Sequence, residues 1–320
     1  MARGRKIVKV IEVEECTLKT AEKEFYRHNE VKGLAKATQR TYQIYVGCFV
    51  EWCGKDKLLS DITTKTIDDY MCKKADDGNK PVSIASNITH IRRFFNFCAS
   101  RGYMTKLDIT IPKYEVELKE PYTDEEMKLL LRRPRTNSWV EYRNWAMVNY
   151  FYATGQRLST VINIKVKHVD LDNAQVKLIW NKDKIQKWMP LSSAIVKVLR
   201  EYIFISELEE EDYLFPEYEG GPLHKRSVES ALENYNHSRG VQKTGIHLFR
   251  HTFAKNYIIN GGNAVKLQKL MNHKSLEQTM KYVNLYNKDI SADLDLFNPL
   301  DTFKRKHYAP IKRRTVIGVN

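Results

Sequence analysis

The sequence lacks any apolar run close to the roughly 20 residues that a membrane-spanning helix requires. Its basic start, from Met1 to Lys9, is not followed by the apolar stretch of a secretory signal. These two absences predict a protein that has no membrane segment and works in the cytoplasm.

Cysteine is scarce and irregularly placed. There are five cysteines, an odd number, without CxxC spacing or nearby histidines: Cys16, Cys48, Cys53, Cys72 and Cys98. This pattern argues against a disulfide framework or a zinc site and predicts reduced, buried thiols. A clustered acidic triad for magnesium and a Gly-rich phosphate loop of the Walker type are also missing. Both absences count against a metal-dependent nuclease or transposase and against an ATP-driven enzyme.

Charge of one sign prevails in the chain. Its 53 Lys and Arg residues exceed its 39 Asp and Glu residues, which gives a formal charge of +14 and a pI of about 9.3. Such an excess suits a polyanionic partner such as nucleic acid. An anionic membrane surface or an acidic protein would be attracted in the same way, so the charge alone leaves those partners open.

The first part of the chain predicts a small helical bundle, because apolar side chains recur there at helical spacing. Three stripes are formed by Tyr42, Tyr45, Val46, Phe49, Trp52 and Cys53 before Gly54, by Ile67, Tyr70 and Met71, and by Ile84, Ile88, Ile91, Phe95 and Cys98. The basic residues His90, Arg92 and Arg93 lie off the third stripe. We expect a helical domain over residues 20–108, after a short basic segment at 1–19.

A connector separates this bundle from the rest of the chain. Residues 109–121 contain two prolines and keep no lasting helical period. Directly afterwards, Thr123 and Glu126 form the capping box that begins a helix. We therefore expect a second domain over residues 122–288 and a C-terminal helix with a basic tail over 289–320.

The second domain mixes helical and strand-like periods. The runs Gln175 to Trp180 and Lys187 to Leu191 predict a β-hairpin. Further helices are predicted by the spacing of Ile195, Val198, Leu199 and Tyr202, of Val228, Leu232 and Tyr235, and of Phe249, Phe253 and Tyr257. The predicted fold class is mainly α with a small β-hairpin or sheet, in two domains.

Four short patterns carry cationic or nucleophilic groups, and the first two are turns. In the first, Gly155 lets the backbone turn after a helix that ends near Tyr152, and it aims Arg157 away from the core. In the second, the hairpin tip presents Lys182 and Lys184, whose ammonium groups can reach forward into a groove. Taken alone, an Arg after a Gly is most often a solvated surface residue, and a solvated turn explains the two lysines equally well.

The third and fourth patterns lie at helix starts. His247 and Arg250, three residues apart, share a helix face and could grip a phosphate together with the free amides there. His273 lies in a turn, and Tyr282 follows on the next helix. By itself this last stretch could be a helix-turn-helix in which the tyrosine is a core or contact residue.

Together the patterns resemble the tyrosine recombinases, also called the phage integrase family, over nearly the whole chain. That family orders an Arg after a Thr-Gly turn, a hairpin Lys, a His-x-x-Arg, a His or Trp, and a Tyr nine residues later. The matching residues are Arg157, Lys182, His247, Arg250, His273 and Tyr282. Lys182 is preferred because it precedes Pro190 by eight residues, as the family's hairpin lysine does, and Lys184 is the alternative.

Three positions depart from the family pattern. Thr160 stands where the family usually has Glu or Asp, Asn272 replaces the usual Gly, and Lys187 stands where Arg is common. The first departure could weaken the support of a neighbouring catalytic side chain. None of the three removes a residue that performs the chemistry.

The resemblance implies a site-specific recombinase that cleaves and rejoins DNA. Attack by Tyr282 would leave a 3′-phosphotyrosyl link that conserves the energy of the bond, so ATP, a metal or another cofactor is not needed. The two arginines and His273 would stabilise the charge of the transition state. Lys182 would protonate the departing 5′ oxygen, and His247 is the candidate base for the tyrosine hydroxyl.

The resemblance also implies partners. The two domains would close as a clamp around double-stranded DNA at recombination core sites, and four copies would hold two duplexes. Candidates for DNA contact are Arg40, His90, Arg92, Arg93, Lys184 and Lys187. The segment from Ile290 to Phe297 either docks on a neighbouring copy or packs on its own domain. Work on DNA would place the protein at the nucleoid.

Two other functions share part of this pattern. A two-domain DNA-binding protein without catalysis would keep the basic faces and use Tyr282 for packing or contact. A type IB topoisomerase would share much of the tyrosine chemistry, but that class usually lacks a bundle like residues 20–105.

Overall fold

The computed structural model describes residues 16–115, 120–179 and 186–286. The chain divides into two compact units between residues 118 and 119, within the connector expected at 109–121. The exact limits of the domains remain predictions. Over the ranges that are described, helices long and apolar enough to cross a membrane are absent.

Within residues 16–115, the first unit contains four α-helices. They are α1 (Leu18–Val31), α2 (Lys36–Cys53), α3 (Thr64–Asp76) and α4 (Pro81–Ser100), with a short 3₁₀ helix at Leu59–Asp61. The predicted stripes on α2, α3 and α4 form its core, where Val46, Ile67 and Ile91 are at most 1% exposed. The helical bundle expected from the sequence is therefore confirmed.

The cysteines of this unit correct one expectation. Only Cys98 is fully buried, whereas Cys48 and Cys72 are exposed. The prediction of buried thiols is wrong for these two, because each lies outside the stripe of its helix: Val46 and Phe49 are buried beside Cys48 on α2. Cysteine is small and weakly polar, so it is tolerated both in the core and on the surface.

The second unit has eight α-helices and three strands within residues 120–179 and 186–286. The helices are α5 (Asp124–Leu131), α6 (Trp139–Thr154), α7 (Leu158–Val161), α8 (Ser193–Ile205), α9 (Lys225–Ser238), α10 (Ile246–Ile259), α11 (Ala264–Met271) and α12 (Leu276–Tyr286). A 3₁₀ helix spans Val166–His168. The expected capping box begins α5, since Thr123 N–H donates to Glu126 Oε2 at 2.7 Å and Glu126 N–H donates to Thr123 Oγ1 at 3.2 Å.

The three strands form one small antiparallel sheet. They are β1 (Val169–Asp170), β2 (Gln175–Ile179) and β3 (Gln186–Pro190), in that order. Strands β2 and β3 confirm the predicted hairpin, and Val176 pairs with Met189 across it. Strand β1 extends the hairpin to a third strand that the alternation of side chains did not reveal.

Helix α6 runs through the centre of the second unit. Ten of its 16 residues are buried, as expected for a helix enclosed on all sides. Helices α5, α8, α9 and α10 pack around it. The ring of Phe151 on α6 stacks on Phe249 of α10 with centroids 6.4 Å apart. This packing fixes the end of α6 against the start of α10.

Candidate active site

The guanidinium of Arg250 lies buried in α10, with only 6% of the residue exposed. Its Nη1 donates to the Gly155 carbonyl at 2.6 Å, and its Nη2 donates to the Met271 carbonyl at 2.8 Å. Burial, and then the charge of Arg157, lower the pKa of Arg250 to about 10, so the group stays charged at neutral pH. Arg250 therefore joins the end of α6 to the end of α11 as a cation.

The C-terminal carbonyls of α11 receive two further donors from the turn after α6. Gln156 Nε2 donates to the Leu270 carbonyl at 3.0 Å, and Arg157 Nη1 donates to the Asn272 carbonyl at 3.2 Å. Carbonyls at a helix end have no partner within the helix and form the negative end of its dipole. The three consecutive carbonyls of Leu270, Met271 and Asn272 are thus held by two guanidiniums and one side-chain amide.

Two residues in the left-handed conformation shape the turns that meet here. Gly155 ends α6 with a φ of 60°, and a Cβ at this position would lie 2.4 Å from Cδ1 of Phe253. Asn272 ends α11 with a φ of 48° and a ψ of 55°. After glycine, asparagine adopts this conformation most readily. The replacement of the family's Gly by Asn272 therefore preserves the turn.

Thr160, which replaces the family's usual acid, is buried in the short helix α7, with 8% exposed. Its backbone N–H donates to the Arg157 carbonyl at 2.8 Å. Arg157 is the N-cap residue of α7. Residue 160 therefore supports the arginine through the backbone.

His273 lies between α11 and α12, beside the two arginines. Its Nδ1 is 2.7 Å from Oγ1 of Thr279, a residue with no exposed surface. Burial, followed by the charges of Arg250 and Arg157, lowers the pKa of His273 to about 4. His273 is therefore neutral at pH 7 and acts as a hydrogen-bonding group without charge.

Tyr282 lies on α12 with its ring parallel to that of His273, at an interplanar angle of 6° and a centroid distance of 6.3 Å. Its Oη is 2.8 Å from Nδ1 of His251. Burial raises the pKa of Tyr282, and the charges of Arg250 and Arg157 oppose that rise. The phenol is thus protonated at neutral pH and lies within the electrostatic field of both guanidiniums.

The structure brings together four of the six residues predicted for the site. Arg157, Arg250, His273 and Tyr282 form one cluster. His247 lies on the same helix as Arg250 but is exposed. The two candidate hairpin lysines, Lys182 and Lys184, lie outside the described residues, as does the predicted docking segment 290–297.

The side chains predicted to contact DNA differ in exposure. Arg40 on α2, Arg93 on α4 and Lys187 on β3 are exposed, whereas His90 and Arg92 on α4 are partly buried. Arg93 also donates to the hydroxyl of a neighbouring tyrosine at 3.1 Å. These positions remain predictions for a DNA-contacting surface.

Sequence reasoning missed three side chains of the site: Gln156, His251 and Thr279. His251 directly follows Arg250 in the third pattern, and Gln156 directly precedes Arg157. Their position next to an assigned residue was the available signal for these two. It is a weak signal, because consecutive side chains on a helix or turn point in different directions. In the described ranges, His, Cys, Asp and Glu side chains do not gather in threes as a metal site would require.

Comparison with known proteins identifies the protein family that has this fold and this cluster of side chains. The model of the phage integrase family matches residues 122–289, just over half of the chain. The chain belongs to the phage integrase family, the tyrosine recombinases. The family, the fold class and the class of enzyme expected from the sequence are thereby confirmed.

Individual relatives span most of the chain. The tyrosine recombinase XerD of Staphylococcus aureus is 25% identical over 295 residues, which cover 88% of this chain and 99% of the relative. A lambda integrase dimer bound to a COC′ core site has a TM-score of 0.69 at 18% identity, over 95% of this chain and 83% of that one. A lambda integrase tetramer bound to a Holliday junction has a TM-score of 0.67 at 18% identity, over 86% and 83%. At such identities the solved structures show the fold.

Substitution of Gly155 by alanine tests the turn that positions Arg157. Gly155→Ala should lower the free energy of unfolding by about 2–5 kcal/mol, because the left-handed backbone and the contact with Phe253 both oppose a Cβ. Gly240→Ala is the matched control, since Gly240 has a φ of 77° but no atom within 4 Å of its Cβ position. Urea unfolding measures both. Equal losses in the two variants would contradict the proposed contact.

The low pKa of His273 predicts a specific acid sensitivity. The unfolded chain protonates this histidine near its usual pKa of about 6.5, whereas the folded protein does so only near pH 4. The unfolded form binds more protons in this window, so stability falls as the pH is lowered through it. His273→Asn should therefore lose less stability than the wild type between pH 7 and about pH 4.5 in urea unfolding. The exposed residue His224 supplies the control, His224→Asn, and an identical fall in both variants would refute the assignment.

Proposed function

We propose that the protein is a site-specific DNA recombinase whose nucleophile is Tyr282. Its Oη attacks a phosphodiester of duplex DNA, a 3′-phosphotyrosyl bond forms, and the 5′ oxygen leaves. The observation that carries this proposal is the position of Tyr282, stacked on His273 and within the field of Arg157 and Arg250. Membership of the tyrosine recombinases and the DNA-bound lambda integrase structures support it.

The two guanidiniums keep donors for a phosphate. Each carries five N–H groups, of which Arg250 uses two and Arg157 one in the contacts described above. Added negative charge on the nonbridging oxygens of the transition state is stabilised by such fixed donors. The contacts with carbonyls hold the forks in place before DNA arrives, so little reorganisation is needed during the reaction.

His273 serves as a neutral donor in this scheme. When the Thr279 hydroxyl donates to Nδ1 of His273, the proton of the neutral ring is on Nε2. Nε2–H can then donate to a group other than Thr279. The low pKa of His273 fits this role, because a neutral ring offers one N–H at neutral pH. We assign that N–H to a phosphate oxygen.

The remaining groups complete the reaction. We assign the protonation of the 5′ oxygen to Lys182, with Lys184 as the alternative. Both residues lie between β2 and β3 in the sequence, outside the described residues. His247, exposed at the start of α10, binds phosphate together with the free amides of the helix start. Within the described residues, the proposed catalytic side chains thus come from the turn after α6, from α10, from the turn after α11 and from α12.

Duplex DNA at core sites is the substrate and partner. Arg40, His90, Arg92 and Arg93 of the first unit and Lys187 of the second are the side chains that we expect to contact the duplex. We infer a tetramer on two duplexes, which the lambda integrase tetramer bound to a Holliday junction supports. The segment 290–297 lies outside the described residues and stays a candidate either for docking on a neighbouring copy or for packing on its own domain. Because its substrate is DNA, we infer that the protein works in the cytoplasm, associated with the nucleoid.

The nucleophile is tested by trapping the covalent intermediate. On a duplex nicked near the cleavage site, the wild type should form a protein–DNA adduct that resists denaturation, and Tyr282→Phe should bind the same duplex without forming one. Tyr286→Phe, on the same helix, is the matched control and should form the adduct. Gel electrophoresis of denatured samples measures the adduct.

Each outcome of this experiment decides between functions. An adduct in Tyr282→Phe would rule out this nucleophile. DNA binding without any adduct in the wild type would favour a non-catalytic DNA-binding protein. Relaxation of supercoiled DNA that lacks a specific site would favour a type IB topoisomerase.

A further inference from the structure

The hydroxyl of the nucleophile already has a partner that the proposed mechanism leaves unused. Tyr282 Oη is 2.8 Å from Nδ1 of His251, within the 2.6–3.2 Å or so expected of a base and the proton it removes. The two rings are tilted by 41° with centroids 5.7 Å apart. His251 therefore touches the atom that reacts.

We propose that His251 is the base that accepts the proton of Tyr282 during strand cleavage. The Oη–H bond breaks and the proton passes to Nδ1, which gives an imidazolium. The oxygen forms a bond to phosphorus, and the bond from phosphorus to the 5′ oxygen breaks as that oxygen takes a proton from the hairpin lysine. Rejoining reverses each transfer, so protons and charge balance over the cycle. The inference rests on the proposed function of Tyr282.

The surroundings of the phenol make a proton acceptor necessary. Burial holds the pKa of Tyr282 above its usual value even though two arginines oppose the shift. A protonated phenol is a weak nucleophile until a neighbouring group removes the proton. Nδ1 of His251 can act in this way when the ring proton is on Nε2.

His251 and His247 lie on the same helix, α10, but differ in their position and exposure. His247 and His251 lie one turn apart, about 6 Å along the axis, and His247 is exposed whereas His251 is partly buried. The hydrogen-bond and ring contacts described for Tyr282 are with His251 and His273. The role of base expected for His247 is thus better filled by His251, next to the phosphate-binding Arg250 on the same rigid helix.

Helix α12 does not depend on His251 for its position. Tyr282, Val283 and Tyr286 pack against a small core on α10 and α11 that contains Ala254 and Leu267. Removal of the imidazole would leave these apolar contacts in place. A substitution at residue 251 can therefore test the chemistry without releasing the helix.

The test uses the full-length protein and a trapping duplex made in two forms, one with the natural 5′ bridging oxygen and one with sulfur in its place. A thiolate leaves without protonation, so the sulfur duplex bypasses a missing acid but not a missing base. His251→Ala should form the adduct about 10²- to 10⁴-fold more slowly on both duplexes, with DNA binding unchanged. Lys182→Ala should be slow on oxygen and recover on sulfur. His224→Ala, at an exposed histidine of the same unit, is the control and should match the wild type.

Added imidazole distinguishes a role of His251 as a base from a role in holding Tyr282 in position. The rate of His251→Ala should rise with the concentration of free imidazole, because the small base fills the space left by the side chain. If His251→Ala forms the adduct slowly on both duplexes and added imidazole does not raise the rate, His251 only holds the tyrosine in place. That result would overturn its role as proton acceptor. A wild-type rate in His251→Ala, or recovery on sulfur alone, would also overturn it.

Two further comparisons keep the result unambiguous. If His251→Ala does not fold, His251→Asn retains a polar side chain of similar width and carries the same expectations. A slower rate on both duplexes in His247→Ala, with His251→Ala unaffected, would return the role to His247. Failure of the wild type to form any adduct would count against the proposed function itself. A wild-type rate of adduct formation in His251→Ala or His251→Asn would count against the role of His251 alone.

Discussion

The buried guanidinium of Arg250 is the contact on which the site depends. It donates to Gly155 at the end of α6 and to Met271 at the end of α11. The first turn carries Arg157 and the second carries His273. Arg250 therefore holds these two residues close together, with the contacts of Gln156 and Arg157 to the end of α11 beside it. A buried cation is stable here because carbonyl oxygens, including those at the negative end of the α11 dipole, replace its water. Without it, both turns would lose hydrogen bonds that nothing else among their described contacts provides.

The same concentration of positive charge prepares the site for an anion. Arg157 lowers the pKa of Arg250, and both lower the pKa of His273, which stays neutral at pH 7. They also limit the rise that burial causes in the pKa of Tyr282. A phosphate that enters would relieve the repulsion between the guanidiniums and gain their remaining donors. The repulsion in the free protein thus becomes attraction for the substrate and for the transition state.

The chain shows where sequence reasoning succeeds and where it stops. The turn at Gly155 was predictable because turns are local, whereas the nine-residue interval before Tyr282 gained its meaning from the resemblance to the tyrosine recombinases. Helix α1 was harder to detect, since buried Glu22 and Asn29 interrupt its apolar stripe. The contact of Tyr282 with His251 joins residues 31 positions apart and depends on how α12 packs against α10. Such contacts follow from tertiary packing, for which a single sequence carries no periodic signal.

The central claim is that one phenol among the 18 tyrosines of the chain becomes bonded to DNA. The most direct measurement is mass spectrometry of the peptide that remains attached to DNA after the trapped wild-type adduct is digested with protease. The account predicts a 3′-phosphotyrosyl bond on the peptide that contains Tyr282. A DNA-linked peptide carrying a different residue would contradict it.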